Sequence, residues 1–363
     1  MRVLVAPDKF AGTLSAVEAA EAIAEGWRRR APGDEIVLAP MSDGGPGFVD
    51  VLHATLGGEL LAVVTRGPHG ETVPATVLVV GDTAYVESAQ VCGVHLTGGR
   101  GGESATTAGL APVLRAAAAS GVRRVVVGLG GSGCNDGGAG VLGALGATAD
   151  VPLERGALGL DGITTLDLAR ARDALGGVEL IAATDVDIPL TGLFGATKTF
   201  GEQAGIAEER QAGVDGILEQ YAALADRRRS LDPGAGAGGG LGYALLLLGG
   251  TRVSGIDLVS EAVGLADRAR EADLVVTGEG AFDFSSRAGK VPYGVAAVAA
   301  DALRPCVAIA GRVLVGAREM RALGMDAAYS LVDVVGEERA VTDPAGSVAT
   351  VAARVARTWS ASG

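Results

Sequence analysis

The feature that most constrains this chain is an alternation of short apolar runs with helical patterns at both of its ends, interrupted in the middle by a different texture. Near the start, Arg2 to Ala6 reads as a strand, followed by a loop from Pro7 to Leu14 and a helix with Val17, Ala20, Ala24 and Trp27 on one face. Ser15 with Glu18 three positions on makes a capping box, which supports the helix start. A second strand, Glu35 to Leu38, runs into the loop Pro40 to Gly47, and another helix passes through Val49, Leu52 and His53. Toward the other end, Ala272 to Thr277, Cys306 to Ala310 and Ala327 to Leu331 are apolar runs separated by helical patterns. Such alternation predicts a doubly wound parallel sheet, because parallel neighbours need long crossovers and helices supply them.

Between these ends, Leu61 to Val64, Ala75 to Val80 and Ala84 to Glu87 are short alternating strands with turns at Pro68-His69-Gly70 and Gly81-Asp82, which suits an antiparallel region. Strands Arg124 to Val127 and Glu179 to Ala183 follow, and Asp232 to Gly242 is too glycine-rich to be an element interior. The expected fold class is α/β: a parallel-sheet domain built from residues 1–58 and 265–363, with a mixed α/β domain, residues 59–264, inserted into it. Ligands of open parallel sheets bind at the carboxyl ends of the strands, so the loops there are the candidate site.

Composition narrows the function. The 363 residues, 48% of them hydrophobic, suffice for a large core and favour two domains over one. A formal charge of −13 repels nucleic acid phosphates and anionic lipid, so neither is expected as a partner. No signal-peptide pattern opens the chain, and no stretch approaches the roughly 20 apolar residues of a bilayer span, so a cytoplasmic protein is expected. Cys92, Cys134 and Cys306 are far apart and form no C-x-x-C pair, and none of His53, His69 and His95 has helical spacing to another. A disulfide framework, a zinc site or a Ser-His-Asp hydrolase would have little to draw on, which leaves carboxylates and lysines to carry the chemistry.

Gly128-Leu129-Gly130-Gly131-Ser132-Gly133 matches G-x-G-x-x-G after a strand, a nucleotide fingerprint whose glycines would let backbone approach phosphate. Asn135-Asp136-Gly137-Gly138 follows, however, and places a carboxylate where a dinucleotide loop would favour none. An NAD-dependent dehydrogenase and a loop made only for tight packing are the alternatives there. Gly289-Lys290 is no P-loop, since Val291 follows the lysine, but Lys290 begins a helix and could reach a phosphate. More telling, acidic residues recur where apolar strands end: Asp8, Asp43, Asp185 with Asp187, and Glu279 with Asp283. One such residue is commonly a cap or turn former. Several beside paired glycines suit phosphoryl transfer, in which Mg²⁺ takes hard oxygen ligands, a carboxylate accepts the proton of the attacking hydroxyl, and cations such as Lys9 and Lys290 neutralise the transferred group.

Ala6-Pro7-Asp8-Lys9-Phe10, Met41-Ser42-Asp43-Gly44-Gly45, Gly130-Gly131-Ser132 with Asp136-Gly137-Gly138, Thr184-Asp185-Val186-Asp187 and Thr277-Gly278-Glu279-Gly280 resemble, in order, the signatures of bacterial type-1 glycerate kinases over residues 2 to 332. The resemblance implies a flavodoxin-like domain with a second domain inserted, and ATP- and Mg²⁺-dependent phosphorylation of D-glycerate, commonly at the 2-hydroxyl; the sequence leaves monomer and homodimer both open. Carried over residue by residue, it implies catalytic roles for Asp8, Lys9, Asp43, Asp187 and Lys290, with Asp187 or Asp43 accepting the proton. It implies substrate or nucleotide contacts from Gly44, Gly45, Gly130, Gly131, Ser132, Asp136, Gly137, Glu279 and Asp283, and metal ligation by Asp185 and Asp187.

The chain departs from the family pattern where Ala11 and Ala204 replace lysines, where Ile188-Pro189 follow Asp187, and where the Gly-Thr-Gly segment before a helix becomes Ala105-Thr106-Thr107-Ala108-Gly109. Two readings follow: a glycerate kinase with compensating cations such as Lys198 or Arg287, or a relative acting on another small hydroxy acid or polyol, with Ile188 and Ala204 lining a less cationic pocket. A catalytically impaired nucleotide-binding paralogue is the third.

Overall fold

The computed structural model describes residues 1–10, 12–283 and 290–360. Its strands, in chain order, are β1 (Arg2–Val5), β2 (Glu35–Leu38), β3 (Glu59–Arg66), β4 (Thr72–Val80), β5 (Thr83–Glu87), β6 (Arg124–Gly128), β7 (Thr148–Ala149), β8 (Leu166–Asp167), β9 (Glu179–Ala183), β10 (Thr251–Val253), β11 (Leu274–Phe282), β12 (Cys306–Val313) and β13 (Ala327–Ser330). The chain divides into two compact units, an outer one of Met1–Asp43, Asp50–Leu56 and Ile256–Gly363, and an inserted one of Gly44–Val49 and Gly57–Gly255. The helix Gly255–Ala262, which sequence patterning left in the inserted segment, therefore belongs to the outer unit apart from its first residue.

The outer unit holds one sheet in the order β13-β12-β11-β1-β2, parallel throughout. Counted within this unit, that is the flavodoxin order 2-1-3-4-5, and the direction of winding reverses between β1 and β11. Helices cover both faces of a parallel sheet, which is why Val3, Leu4 and Val5 of β1 are all fully buried and none alternates with a polar residue. Helix Ala16–Arg30 starts at the expected capping box: the Ser15 side chain accepts from the Glu18 N–H at 3.2 Å, and Glu18 Oε2 accepts from the Ser15 N–H at 2.9 Å. Its Ile23 and Trp27 share a core with Val348, Val351 and Val355 of helix Pro344–Trp359, so the two chain ends are packed into one unit. The approach is close enough that a Cβ on Gly26 would sit 2.0 Å from the Ala349 carbonyl oxygen.

The inserted unit carries a six-stranded mixed sheet in the order β10-β9-β6-β5-β4-β3. From β10 to β5 the strands are parallel, and β5, β4 and β3 form an antiparallel meander whose first turn lies at Pro68-His69-Gly70. A separate core of Val, Leu and Ala side chains, with Tyr221 and Tyr243 stacked edge to face, fills this unit. Among the described residues no helix is long and apolar enough to cross a membrane.

Candidate active site

In the outer unit the functional residues gather at the switch point. Beyond β1 the chain keeps to the flank of β11: the Ala6 N–H donates to the Val276 carbonyl at 2.7 Å, the Asp8 N–H to the Gly278 carbonyl at 2.8 Å, and Thr277 Oγ1 to the Ala6 carbonyl at 2.8 Å. Gly278 permits this, because a Cβ there would lie 2.4 Å from the Ile309 oxygen and 3.3 Å from the buried Phe10 ring. The loop after β2 is tied alongside by the Met41 N–H, which donates to the Pro7 carbonyl at 2.9 Å.

These restraints hold three charges together. Lys9 Nζ stands 3.6 Å from Asp8 Oδ1 and 3.6 Å from Asp43 Oδ1. Burial pushes the Asp8 carboxyl up to about 7; the Lys9 charge and the Lys9 N–H that it accepts at 2.8 Å oppose that shift, and Asp43 adds to it. Burial acts against the Lys9 ammonium, but the carboxylates of Asp43 and Asp8 hold it above its ordinary value. The result is a carboxyl that titrates near neutrality beside a fixed cation, the match of pKa to working pH that acid–base catalysis requires.

Of the C-terminal candidates, Glu279 lies inside β11 rather than after it. The strand continues through Phe282 in register with β12, leaving Glu279 paired with Ala310 and only 5% exposed. Asp283 and Lys290 face each other at 3.9 Å and are each about one-third exposed. Ala11 and Arg287, named above for a missing and a compensating cation, lie outside the described residues.

In the inserted unit the glycine motifs serve backbone packing. Gly44 has φ +93°, and a Cβ on it would lie 2.6 Å from the Ala183 oxygen at the end of β9. A Cβ on Gly128 would meet the Gly44 oxygen at 2.6 Å, one on Gly130 the Gly45 Cα at 2.7 Å, and one on Gly131 the Pro46 ring at 2.9 Å. The two glycine-rich loops are thus pressed against each other. Glu87, at the end of β5, completes the arrangement: its Oε2 accepts from the N–H groups of Gly47 and Val49 at 3.1 and 3.3 Å, where helix Phe48–Leu56 begins.

Asp136 is fully buried and holds the following turn. Its carboxylate accepts from the Thr107 N–H at 2.8 Å, from Thr107 Oγ1, and from the N–H groups of Gly138 and Gly140 at 2.9 and 3.2 Å. Burial raises its pKa and these donors counter the rise. Ser132 Oγ is likewise engaged locally, accepting from the Cys134 N–H at 3.1 Å, and Gly137, with φ +63°, packs on Tyr221. These residues therefore fix the loop's shape.

Past β9, Asp185 Oδ1 accepts from Ser254 Oγ at 2.7 Å, and Asp187 forms an ion pair with Arg252 of β10. The Arg252 Nε is buried without a hydrogen-bond partner among the described residues. These hard carboxylate oxygens fit Mg²⁺, which is commonly bound through one or two carboxylates plus substrate phosphates, although among the described residues no group of three or more His, Cys, Asp or Glu stands ready for a metal.

Sequence reasoning missed Glu87, Ser254 and Arg252. Glu87 ends an apolar strand, the same signal that singled out Asp8, whereas Arg252 sits in a three-residue strand that carries no signal. Ala204, expected to line a pocket, is 2% exposed in the inserted unit's core, and its carbonyl accepts from the Gly102 N–H at 2.9 Å. Lys198 is exposed on the short helix Ala196–Phe200.

The chain is an α/β protein with a flavodoxin-ordered sheet, a mixed α/β unit inserted after its second strand, and a carboxylate-lysine cluster at the switch point. A model of the glycerate kinase family matches residues 3–360. The chain is similar to the glycerate kinase of Bacillus subtilis (37% identical, covering 92% of this chain and 90% of the relative) and to the glycerate 2-kinase of Escherichia coli (37%, covering 93% and 92%). An uncharacterized protein of Mycobacterium bovis is 42% identical over 98% of this chain and 91% of its own length. The crystal structure of a protein described as glycerate kinase 2 from Salmonella typhimurium LT2 superposes with a TM-score of 0.79 at 33% identity, covering 99% of this chain and 98% of that one. The chain belongs to the glycerate kinase family, and it is an enzyme, a kinase of that family.

Proposed function

We propose that this enzyme transfers the γ-phosphoryl group of Mg-ATP to the 2-hydroxyl of D-glycerate. The observation that carries the reading is the buried Asp8 carboxyl held with Asp43 around Lys9, each 3.6 Å from the ammonium, at the switch point of the sheet. Phosphoryl transfer asks mainly for positioning and charge stabilisation. Asp8 takes the proton of the acceptor hydroxyl as its oxygen bonds to the γ-phosphorus, and the bond from that phosphorus to its bridging oxygen breaks to release ADP. Lys9 keeps its charge throughout and steadies the anions on either side. Bound Mg²⁺ would supply neutralisation of the phosphate charge, and the carboxylates of Asp185 and Asp187 are the groups that would hold it. The 2-position is supported by the name of the Escherichia coli relative.

The test is ADP release with Mg-ATP and D-glycerate beside a panel of hydroxy acids and polyols, with the product assigned by phosphorus NMR. Turnover on D-glycerate giving 2-phosphoglycerate is expected. Silence on glycerate with turnover on another acceptor would overturn the substrate, and a 3-phosphorylated product would overturn the position.

A further inference from the structure

A cavity of about 710 Å³ lies wholly within the inserted unit and includes none of the signature residues Gly130, Asp136, Asp185 or Asp187 in its lining. That volume is within the roughly 300 to 1,000 Å³ of small-molecule sites. Its walls are the turn between β3 and β4, the segment leading into helix Leu110–Ala119, and the end of helix Ala139–Leu145. Hydrogen bonds fix these walls to one another. Thr65 Oγ1 donates to the Gly109 carbonyl at 2.8 Å, the Thr106 N–H to the Pro68 carbonyl at 3.0 Å, and Arg115 Nη2 to the Ala144 carbonyl at 3.0 Å. Gly109 is required, since a Cβ there would fall 1.8 Å from the Arg66 oxygen. The departed motif Ala105-Thr106-Thr107-Ala108-Gly109 thus builds a wall of this cavity.

Its charge runs against that of the molecule. In a chain of net charge −13, the charged lining is Arg66, Arg115 and Arg155 against a single carboxylate, Glu154, with His69 beside them. Elsewhere in this unit several arginines pair with carboxylates, as Arg123 does with Asp82, Arg124 with Glu179 and Arg210 with Glu103, whereas Arg100, Arg170 and Arg228, among the described residues, stand singly rather than gathered around this cavity. Arg66 and Arg155 have no ion pair or side-chain hydrogen bond among the described residues, and Arg115 spends one of its five N–H groups on Ala144. Guanidinium groups gathered without carboxylate partners are suited to bidentate recognition of phosphate or carboxylate.

We infer that this cavity is a second ligand site, taking a small molecule that carries two or more anionic groups. Phosphate esters and polycarboxylates share that chemistry. The experiment is calorimetric titration of the full-length protein with pyrophosphate, 3-phosphoglycerate and citrate in turn. Saturable binding of at least one is expected; binding of the first two alone identifies phosphate recognition, and binding of citrate as well identifies recognition of charge. The double variant Arg66→Gln/Arg155→Gln should weaken binding at least ten-fold, Glu154→Gln should tighten it about two- to ten-fold, and Arg123→Gln, which removes an equal charge elsewhere in the unit, should leave it unchanged. Absence of saturable binding to all three probes, a double variant that binds like the parent, or equal weakening by Arg123→Gln would overturn the site. So would a raised KM for ATP or glycerate in the double variant, because the cavity would then belong to the substrates of the reaction. Binding is read without turnover, so the outcome is independent of which acceptor the kinase uses.

Discussion

Asp8 shows how far a residue's chemistry depends on its surroundings. An aspartate in water is ionised at neutral pH; here burial against β11 brings its carboxyl to about 7, and activity should follow. The rate kcat/KM is expected to rise with pH through a single ionisation near 7, and Asp8→Asn should lower kcat by roughly 10²- to 10⁴-fold and abolish that limb. A pH-rate profile in which the limb survives in the variant would assign the ionisation elsewhere. The same shift has a stability consequence of definite sign. The folded-state value lies above the unfolded one, so the contribution is complete below about pH 4 and is lost as the pH rises through about 7. Asp8→Asn should therefore melt higher than the parent at pH 8 and close to it at pH 4.

At the level of elements, the longer strands were legible as apolar runs, and Glu35–Leu38 and Glu179–Ala183 fall where the pattern put them, whereas the two- and three-residue strands β7, β8 and β10 are too short to leave a pattern. Extents were less legible. β11 continues through Gly278–Phe282 because Gly278 and Gly311 remove the Cβ atoms that would strike the neighbouring backbone, and a strand rich in glycine leaves no apolar trace. Glu279 thereby read as a loop residue. Asp8 could be picked out from its place after a strand, but its burial under Phe10 and β11 is a tertiary fact. The glycine pairs were read toward phosphate, whereas Gly128, Gly130 and Gly131 make room for the Gly44–Pro46 loop and Gly44 for the end of β9. Gly44 and Gly47 offer a controlled test, since both have φ +93° but only Gly44 has backbone within 4 Å of a would-be Cβ. Each change to alanine should cost about 1 to 2 kcal/mol for the left-handed backbone, and Gly44→Ala about 1 to 3 kcal/mol more for the clash with Ala183. Equal losses in denaturant unfolding would show that the close approach is not rigid.

For the whole molecule, the inserted unit has a core of its own, while the outer unit is a sheet assembled from both ends of the chain. Thr277 donates to Ala6 across 271 residues of sequence. During synthesis β1 and β2 emerge early with no partner on the β11 side, and at about 5 to 20 residues per second the missing strand follows only after roughly 15 to 55 s. The inserted unit has its full sequence before then. The ribosome therefore presents a nascent chain in which the second unit to begin is the first able to finish, and the exposed hydrophobic edge of β1 must be kept from other chains until the last quarter of translation.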